Sequence, residues 1–465
     1  MTLSDFLLKS KTDYLNDVKN GSGREWTVVM GNEAGDLDSV ASSIALSWVL
    51  SAVKKIPSIA LLQISRNDLG LRPENVHALK LASLSTDQNE ILCIDDLPSL
   101  TPFPSNRFAL VDHNRLLSQF AENNSDVKVV AVLDHHEDEG LYKDTANPRM
   151  IVVPTGSASS VVTQYIRKEV LDGVERVSIP RELSDLLLTA ILIDTNGLVP
   201  GGKGELLDHE AAAFLVPRSS ILGSNSGLSN PGSTSGAISF LSTSSSETEL
   251  HKLPSLRSLA EELSEKKNDI SDLTSLDLLR RDYKQYAWTP SSSWASSSTQ
   301  PIQVGLSTVP LDLRDWFLRD LTSTTSSDSE PVFWNSIDSF INQRGLDVLG
   351  ILTTFRKHGK HRRQALFVIN STSEQEKISG LEKRIQEGLE GSEQLALKRK
   401  EISDMISKYL SKHLKKEKGK REEITKQIKD GEESVKHKIH LYKQGNAKAT
   451  RKVVAPLLKQ IVEGP

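Results

Sequence analysis

Short apolar runs alternate with helix-like segments through the first half of the chain, and this alternation limits the possible folds more than any other feature. The runs are rich in Val, Ile and Leu: "WTVVMGN", "SIALLQIS", "EILCIDDL", "RFALVDHN", "VKVVAVLDHH" and "MIVVPTG". Segments such as "DSVASSIALSWVLSAV" and "SSVVTQYIRKEVL" lie between and after them. The pattern predicts an α/β domain with a mostly parallel sheet and helices on both faces.

The second half of the chain predicts a further domain, since 465 residues exceed one ordinary core. The runs "PIQVGLSTVPL", "LDVLGILTTFR" and "RQALFVINS" indicate strands of a smaller α/β domain. We expect the first domain at 1–217, a Ser/Gly-rich linker or loop at 218–248, and the second domain at 249–465. The part from about 373 to 442 is dense in Lys, Glu and Arg, which predicts solvated helices.

Composition excludes several classes of partner. The net charge of −4 gives no general attraction to nucleic acid or to membranes. No apolar run approaches the length of a membrane span, and the N-terminus does not resemble a signal peptide. The single cysteine, Cys93, excludes an internal disulfide and is more typical of a buried residue than of a nucleophile. We therefore expect a cytoplasmic monomer that binds neither nucleic acid nor membrane.

Two carboxylates, Asp36 and Asp38, stand two residues apart between a strand-like and a helix-like run. Either one alone is more often a helix N-cap than a metal ligand. Carboxylates so close repel each other unless a cation lies between them. The rest of the sequence must therefore decide between a cap and a metal site.

Three further clusters follow strand-like runs: "ALVDHN", "AVLDHHEDEG" and "AILIDTNGL". Their candidate side chains are Asp112, His113, Asp134, His135, His136 and Asp194. Because the carboxyl ends of neighbouring strands meet at one edge of an open α/β sheet, we expect these groups to lie together. Carboxylates mixed with imidazoles suit Mn, Mg, Co or Fe, and two such ions about 3.5–4 Å apart can activate water and hold a phosphoryl group. The sequence therefore predicts a metal site.

The four motifs "NEAGDLDS", "VDHN", "LDHH" and "IDTN" resemble those of the DHH phosphoesterase superfamily. The most similar branch contains family II inorganic pyrophosphatases, prune proteins and eukaryotic, fungal-type cytosolic exopolyphosphatases. "LLRRDYKQY" and "ATRKVVAPLL" resemble the opening and closing segments of that branch's C-terminal DHHA2 domain. The resemblance covers nearly the whole chain and implies an active site in the cleft between two domains.

The resemblance also implies roles for individual residues. A centre of two divalent ions, Mg or Mn with Co as a further option, would be held by Asp36, Asp38, Asp112, His135 and Asp194. His136 would protonate the leaving oxygen or orient the reacting group, while Asp134 would hold His135 or the backbone in place. The terminal phosphate would be held by Lys284, Arg451 and Lys452, and His113 would lie near the substrate.

Two positions distinguish members of this branch. Asn32 stands where family II pyrophosphatases have His, and exopolyphosphatases and prune proteins share the Asn. An amide is the weaker ligand, so we expect weaker binding of Mn or Co, better tolerance of Mg, and Asn32 near the substrate. Prune proteins typically lose the second His of the namesake motif, whereas His136 is kept here. Together these positions favour an exopolyphosphatase that releases terminal phosphate from inorganic polyphosphate.

The sequence leaves several functions open. The basic stretch "FRKHGKHRRQ", with Arg362 and Arg363, is either part of a channel for polyphosphate or a solvated hairpin. A prune-like or pyrophosphatase specificity for short substrates is the nearest alternative function. A nuclease of the wider superfamily and a non-enzymatic scaffold are further alternatives.

Overall fold

The computed structural model describes residues 1–464 apart from 86, 99–100, 173–176, 222–246, 295–299, 324–331, 372–379 and most of 414–436. Most of the predicted linker at 218–248 therefore lies outside the described residues. The chain forms two compact units, Met1–Asp269 and Ile270–Pro465. Among the described helices, none combines the length and apolar character needed to cross a membrane.

The strands are β1 (Thr27–Met30), β2 (Ser58–Leu62), β3 (Leu92–Cys93), β4 (Arg107–Val111), β5 (Lys128–Asp134), β6 (Arg149–Ile151), β7 (Tyr283–Trp288), β8 (Ile302–Val309), β9 (Val348–Lys357), β10 (Lys360–Ile369), β11 (Leu397–Lys400) and β12 (Lys438–Gln444). The helices are α1 (Leu3–Lys19), α2 (Leu37–Trp48), α3 (Pro73–Leu81), α4 (Ser118–Ala121), α5 (Ala158–Asp172), α6 (Arg181–Asp194), α7 (Leu206–Leu215), α8 (Pro254–Asn268), α9 (Ser275–Arg281), α10 (Leu313–Ser323), α11 (Val332–Arg344), α12 (Leu381–Glu390), α13 (Ile402–His413) and α14 (Arg451–Glu463).

The first unit is built on a six-stranded parallel sheet in the order β3-β2-β1-β4-β5-β6. Successive side chains of a strand point to opposite faces, and both faces of this sheet are covered. Val29 faces a core that includes residues of α2, α5 and α6, whereas Val28 packs with Tyr14 of α1 and Phe120 of α4. The predicted parallel sheet with helices on both faces is confirmed.

The second unit contains a six-stranded mixed sheet in the order β11-β12-β10-β9-β8-β7. Only β8 and β9 pair in parallel within it, and the other neighbours are antiparallel. Helices α9, α10, α11 and α13 pack on one face, and α12 and α14 pack on the other. The second, smaller α/β domain is thus also confirmed.

The division between the units differs from the boundary predicted after residue 248. Helix α8 belongs to the first unit because Leu256, Leu259 and Leu263 are buried in its core. The prediction for 373–442 is wrong in part, because strand β11 and most of β12 lie within that range beside the helices α12 and α13. Strand β12 buries His440, Leu441 and Tyr442 in succession, although lysines stand on either side of these three residues.

Burial also explains Cys93, which lies in β3. Its side chain is fully enclosed, and this burial raises the pKa of the thiol to about 12. A thiol that stays protonated at neutral pH is a poor nucleophile. The interpretation of Cys93 as a buried apolar residue therefore agrees with its surroundings.

Candidate metal centre

The candidate centre lies at the carboxyl edge of the parallel sheet. Strands β1, β4 and β5 are neighbours, so the residues that follow them come together. The chain after β1 passes close to the start of α2: a Cβ added at Gly31 would lie 2.4 Å from Cβ of Ser39. Only glycine permits this approach, which brings Asn32 and the first turn of α2 to the edge.

Asp112 is the most constrained group at this edge. It directly follows β4 and adopts a φ of 59°, in the left-handed region that is uncommon outside glycine. Its Oδ2 accepts hydrogen bonds of 2.6 Å from the Ser39 hydroxyl and of 2.6 Å from the Asn32 amide. Burial, together with the neighbouring charge of Asp36, raises the pKa of Asp112 well above its usual range.

His135 follows β5 and is oriented by the backbone. Its Nδ1–H donates to the carbonyl oxygen of Thr155 over 3.0 Å, and its Nε2 lies 3.2 Å from Oδ1 of Asp112 and 4.0 Å from Oδ2 of Asp38. A hydrogen bond at one ring nitrogen fixes which nitrogen is presented to a ligand. Although burial opposes protonation, Asp112 and Asp38 raise the pKa of His135 to about 10.

His136 is held by the buried carboxylate of Asp134. Oδ1 of Asp134 accepts from Nδ1 of His136 over 2.8 Å and from the backbone N–H of His135 over 2.8 Å. Its Oδ2 accepts from the Asn114 amide over 2.6 Å. Asp134 thus contacts the backbone of His135, as the sequence predicted, and it also binds the ring of His136, a contact that the sequence did not predict.

Asp36 and Asp38 combine capping with proximity to the centre. Oδ1 of Asp36 accepts from the backbone N–H of Ser39 and caps α2. Asp38 is 1% exposed and accepts from the Ser157 hydroxyl and from the first backbone N–H groups of α5. Asp36 is therefore a helix N-cap, as one of the two interpretations predicted. Capping does not exclude either carboxylate as a candidate metal ligand.

Asp194 reaches the centre from a different element than the sequence predicted. The run "AILIDTNGL" predicts the end of a strand, but Asp194 is the last residue of helix α6. Burial, with the charges of Asp38 and Asp36 and against that of Lys267, raises the pKa of Asp194 to about 7. The Nζ of Lys267 lies 3.7 Å from Oδ1 of Asp194.

The donor set fits a divalent cation. Ligand atoms of Asp112, His135 and His136 lie within 4.8 Å of one another. Burial and the charges of neighbouring carboxylates raise the pKa values of Asp112 and Asp194, which indicates negative charge that a cation would offset. Carboxylate oxygens and imidazole nitrogens without thiolate suit Mg or Mn better than a structural zinc site.

The other predicted substrate contacts occupy different settings. His113 directly follows Asp112 in the chain, and its Nδ1 is 2.8 Å from the carbonyl oxygen of Val111. Lys284 is half-buried in β7 of the second unit. Arg451 begins α14 and donates to both the carboxylate and the carbonyl oxygen of Asp282, over 2.8 and 2.9 Å, whereas the next residue, Lys452, is exposed.

The basic stretch forms the tip of the β9–β10 hairpin. Arg362 is exposed, and Arg363 is half-buried with its Nε–H donating to the carbonyl oxygen of Ala447 over 2.8 Å. Neighbouring residues of a strand point to opposite faces, so these two guanidinium groups do not share a face. The basic stretch therefore forms a hairpin. In a channel for polyphosphate, Arg362 and Arg363 would not act from the same face of it.

Sequence reasoning missed the groups that orient the candidate ligands: Ser39, Asn114, Thr155, Ser157 and Lys267. Ser39 carried a signal, because it stands three residues after a helix-capping Asp. Thr155 and Ser157 follow strand β6 at the same sheet edge, so the rule that found the other groups applies to them. Nothing in the sequence connects Lys267 with Asp194.

Family models match both parts of the chain. The model of the DHH family N-terminal domain matches residues 26–191, and that of the DHHA2 domain matches residues 261–461. The chain therefore belongs to the DHH family, in the class that carries a C-terminal DHHA2 domain.

Individual relatives are more distant. The chain is 35% identical over 212 residues to a "Putative exopolyphosphatase" of Schizosaccharomyces pombe, covering 43% of this chain and 53% of that protein. It is 25% identical over 354 residues to "Exopolyphosphatase PRUNE1" of Mus musculus, covering 74% and 63%. A "Probable manganese-dependent inorganic pyrophosphatase" of Streptococcus agalactiae is 39% identical over 87 residues, covering 18% and 25%. The chain thus spans about half to two thirds of the length of the first two relatives.

A solved structure shares the fold. The crystal structure titled as a "putative family II inorganic pyrophosphatase" of Methanococcus jannaschii aligns with a TM-score of 0.50 and 16% identity, covering 94% of this chain and 99% of that one. At this identity the similarity concerns the fold alone.

Proposed function

We propose that this chain is an exopolyphosphatase that releases terminal orthophosphate from inorganic polyphosphate with the help of divalent metal ions. The observation that carries the proposal is the convergence of Asp112, His135 and His136 at one sheet edge, with ligand atoms within 4.8 Å. The DHH and DHHA2 domains and the relatives named as exopolyphosphatases support it.

The candidate ligands would hold two ions, Mg or Mn with Co as a further option, between Asp36, Asp38, Asp112, His135 and Asp194. Bound ions would supply a water of lowered pKa and positive charge for the phosphoryl oxygens. Ser39 and Asn32 hold Asp112 in place through its Oδ2. Asn32 donates to that carboxylate, which supports a centre in which the amide is not itself a ligand and Mg is tolerated.

Hydrolysis transfers the terminal phosphoryl group to water and breaks its bond to the bridging oxygen, which leaves with the shortened chain. His136 would give the proton to that oxygen. Because Asp134 binds Nδ1 of His136, the proton would leave from Nε2. Lys284 and Lys452 would hold the terminal phosphate, and Arg451 would do so only by releasing Asp282.

Orthophosphate release tests the proposal. Purified protein with Mg or Mn is given long-chain polyphosphate, triphosphate or pyrophosphate, and Asp112→Ala is compared with Glu122→Ala, which changes an exposed carboxylate. We expect release from long chains that stops at pyrophosphate, is lost in Asp112→Ala and persists in Glu122→Ala. Activity confined to pyrophosphate or short chains would instead support a pyrophosphatase or a prune-like enzyme.

Two further assays test for a nuclease, for a scaffold and for a substrate channel. Cleavage of an oligonucleotide, without release from any phosphate chain, would favour a nuclease, and no activity on any substrate would favour a scaffold.

Neutralising Arg362 and Arg363 together should raise KM for long chains more than for triphosphate if the hairpin guides the substrate. Equal effects on both substrates would remove the channel.

A further inference from the structure

Lys267 brings a positive charge to the candidate centre from a helix outside all of the family motifs. Its Nζ lies 3.7 Å from Oδ1 of Asp194, with 43% of the Lys267 side chain exposed. Helix α8, which carries Lys267, packs against α3 and α6 of the first unit. The ion pair therefore joins two elements of one compact unit.

Packing determines where the C-terminal end of α8 lies. A Cβ added at Gly197, in the turn after Asp194, would be 3.0 Å from Cβ of Ala260. Ala260 and Lys267 are seven residues apart, which is close to two helical turns, so they lie on the same face of α8. The face of α8 that packs on this turn is thus the face that presents Lys267 to Asp194.

A simpler explanation is that Lys267 only complements the dipole of its own helix, since cations are favourable near a helix C-terminus. That explanation applies equally to Lys266, the preceding residue, which is exposed. The proximity to Asp194 distinguishes Lys267 from Lys266. This difference provides a matched pair of substitutions in the same helical turn.

We propose that Lys267 is the counter-ion of the metal-free centre: it competes with divalent cations for Asp194 and thereby sets the cation affinity of the centre. The proposal rests on the metal centre proposed above. Without a cation, the ammonium group offsets the repulsion among Asp36, Asp38 and Asp194. When a divalent ion binds, the ammonium group and the ion repel each other, and the half-exposed side chain can turn towards solvent.

Titration with Mn²⁺ alone tests this without measuring activity. Protein freed of metal with EDTA and then dialysed is titrated while free Mn²⁺ is measured by electron paramagnetic resonance, for wild type, Lys267→Met, Lys267→Arg and Lys266→Met. We expect Lys267→Met to bind Mn²⁺ about tenfold more tightly than wild type, because the substitution removes a positive charge that repels the cation. Lys267→Arg and Lys266→Met should stay within about twofold of wild type, since they keep the charge or change an exposed one.

Thermal melting provides a second readout. Metal-free Lys267→Met should melt below metal-free Lys266→Met, and addition of Mn²⁺ should raise its melting temperature by more. If Lys267→Met does not fold, Lys267→Gln is titrated instead against the same tenfold criterion. Equal Mn²⁺ affinity in wild type and Lys267→Met would overturn the role of Lys267 alone. Failure of the wild type to bind Mn²⁺ would overturn the metal centre itself.

Discussion

Asp134→Asn probes the hydrogen bonds that hold the two histidines. The carboxylate is fully buried and accepts from the backbone of His135, from Nδ1 of His136 and from the amide of Asn114. Although burial opposes ionisation, hydrogen bonds from His136 and Asn114 hold the pKa of Asp134 well below its usual range. The substitution keeps the shape of the side chain and removes one acceptor and the charge.

The cost follows from the fixed orientation of Asn114. Its Nδ2 also donates to the carbonyl oxygen of Glu137 over 3.0 Å, and its Oδ1 accepts from the backbone N–H of Glu139 over 3.1 Å, so its amide cannot turn over. In Asp134→Asn, the new NH2 group must therefore face either the NH2 group of Asn114 or the N–H groups of the two histidines. In both cases two hydrogen-bond donors face each other. Loss of a charged hydrogen bond and an unpaired buried donor together predict a fall in the free energy of unfolding of about 3 kcal/mol.

Urea unfolding at neutral pH in EDTA measures this fall. Because the folded-state pKa is lowered, the carboxylate stabilises the protein above its unfolded pKa of about 3.9 and loses that effect as the pH falls through its folded value. The difference between wild type and Asp134→Asn should therefore shrink in acid. Asp138→Asn changes a neighbouring exposed carboxylate and should cost much less than Asp134→Asn. A cost equally small for Asp134→Asn would refute the reasoning.

Metal-free protein should lose stability as the pH rises from about 5 to 8, because the pKa of Asp194 is raised to about 7 and its protonated form stabilises the fold below that value. Urea unfolding with EDTA and with Mn²⁺ checks this, and the same slope in both would contradict it. Arg451→Ala should lower the free energy of unfolding by about 2 kcal/mol, since it removes charged hydrogen bonds to Asp282. Lys452→Ala should leave the free energy of unfolding within about 0.5 kcal/mol of wild type, because an exposed side chain is lost, but should raise KM for the phosphate substrate. Urea unfolding measures the stability of both variants, and phosphate release measures KM. Equal losses of stability in Arg451→Ala and Lys452→Ala would contradict this distinction.

Much of the fold could be predicted because buried parallel strands leave a strong signal. Strands β1, β2, β4 and β5 are nearly continuous apolar runs, which is how a sheet covered on both faces is encoded. The same signal gave a wrong prediction at Asp194, since the buried apolar run Leu183–Ile193 of helix α6 resembles a buried strand. Strand β11, "LKRK", has almost no apolar signal, and its pairing with β12 identifies it.

The candidate ligands could be predicted because a sheet edge collects whatever follows neighbouring strands. Asp112 and His135 needed only that rule. Their orienting partners could not be predicted in the same way, since a backbone carbonyl such as that of Thr155 has no signature in the sequence. Lys267 was missed because helix packing, rather than a motif, brings α8 to the end of α6.

The same orienting partners explain why metal binding and stability should be coupled in this chain. Ser39 and Asn32 donate to Asp112, and the start of α5 donates to Asp38. The hydrogen bonds to Asp112 favour its ionised form, yet the pKa of Asp112 remains raised, so the donors only partly offset burial and the repulsion from neighbouring carboxylates. A divalent cation would offset the remainder. Removing a donor should therefore destabilise the metal-free protein and also alter its cation affinity, because both properties depend on the same buried charge.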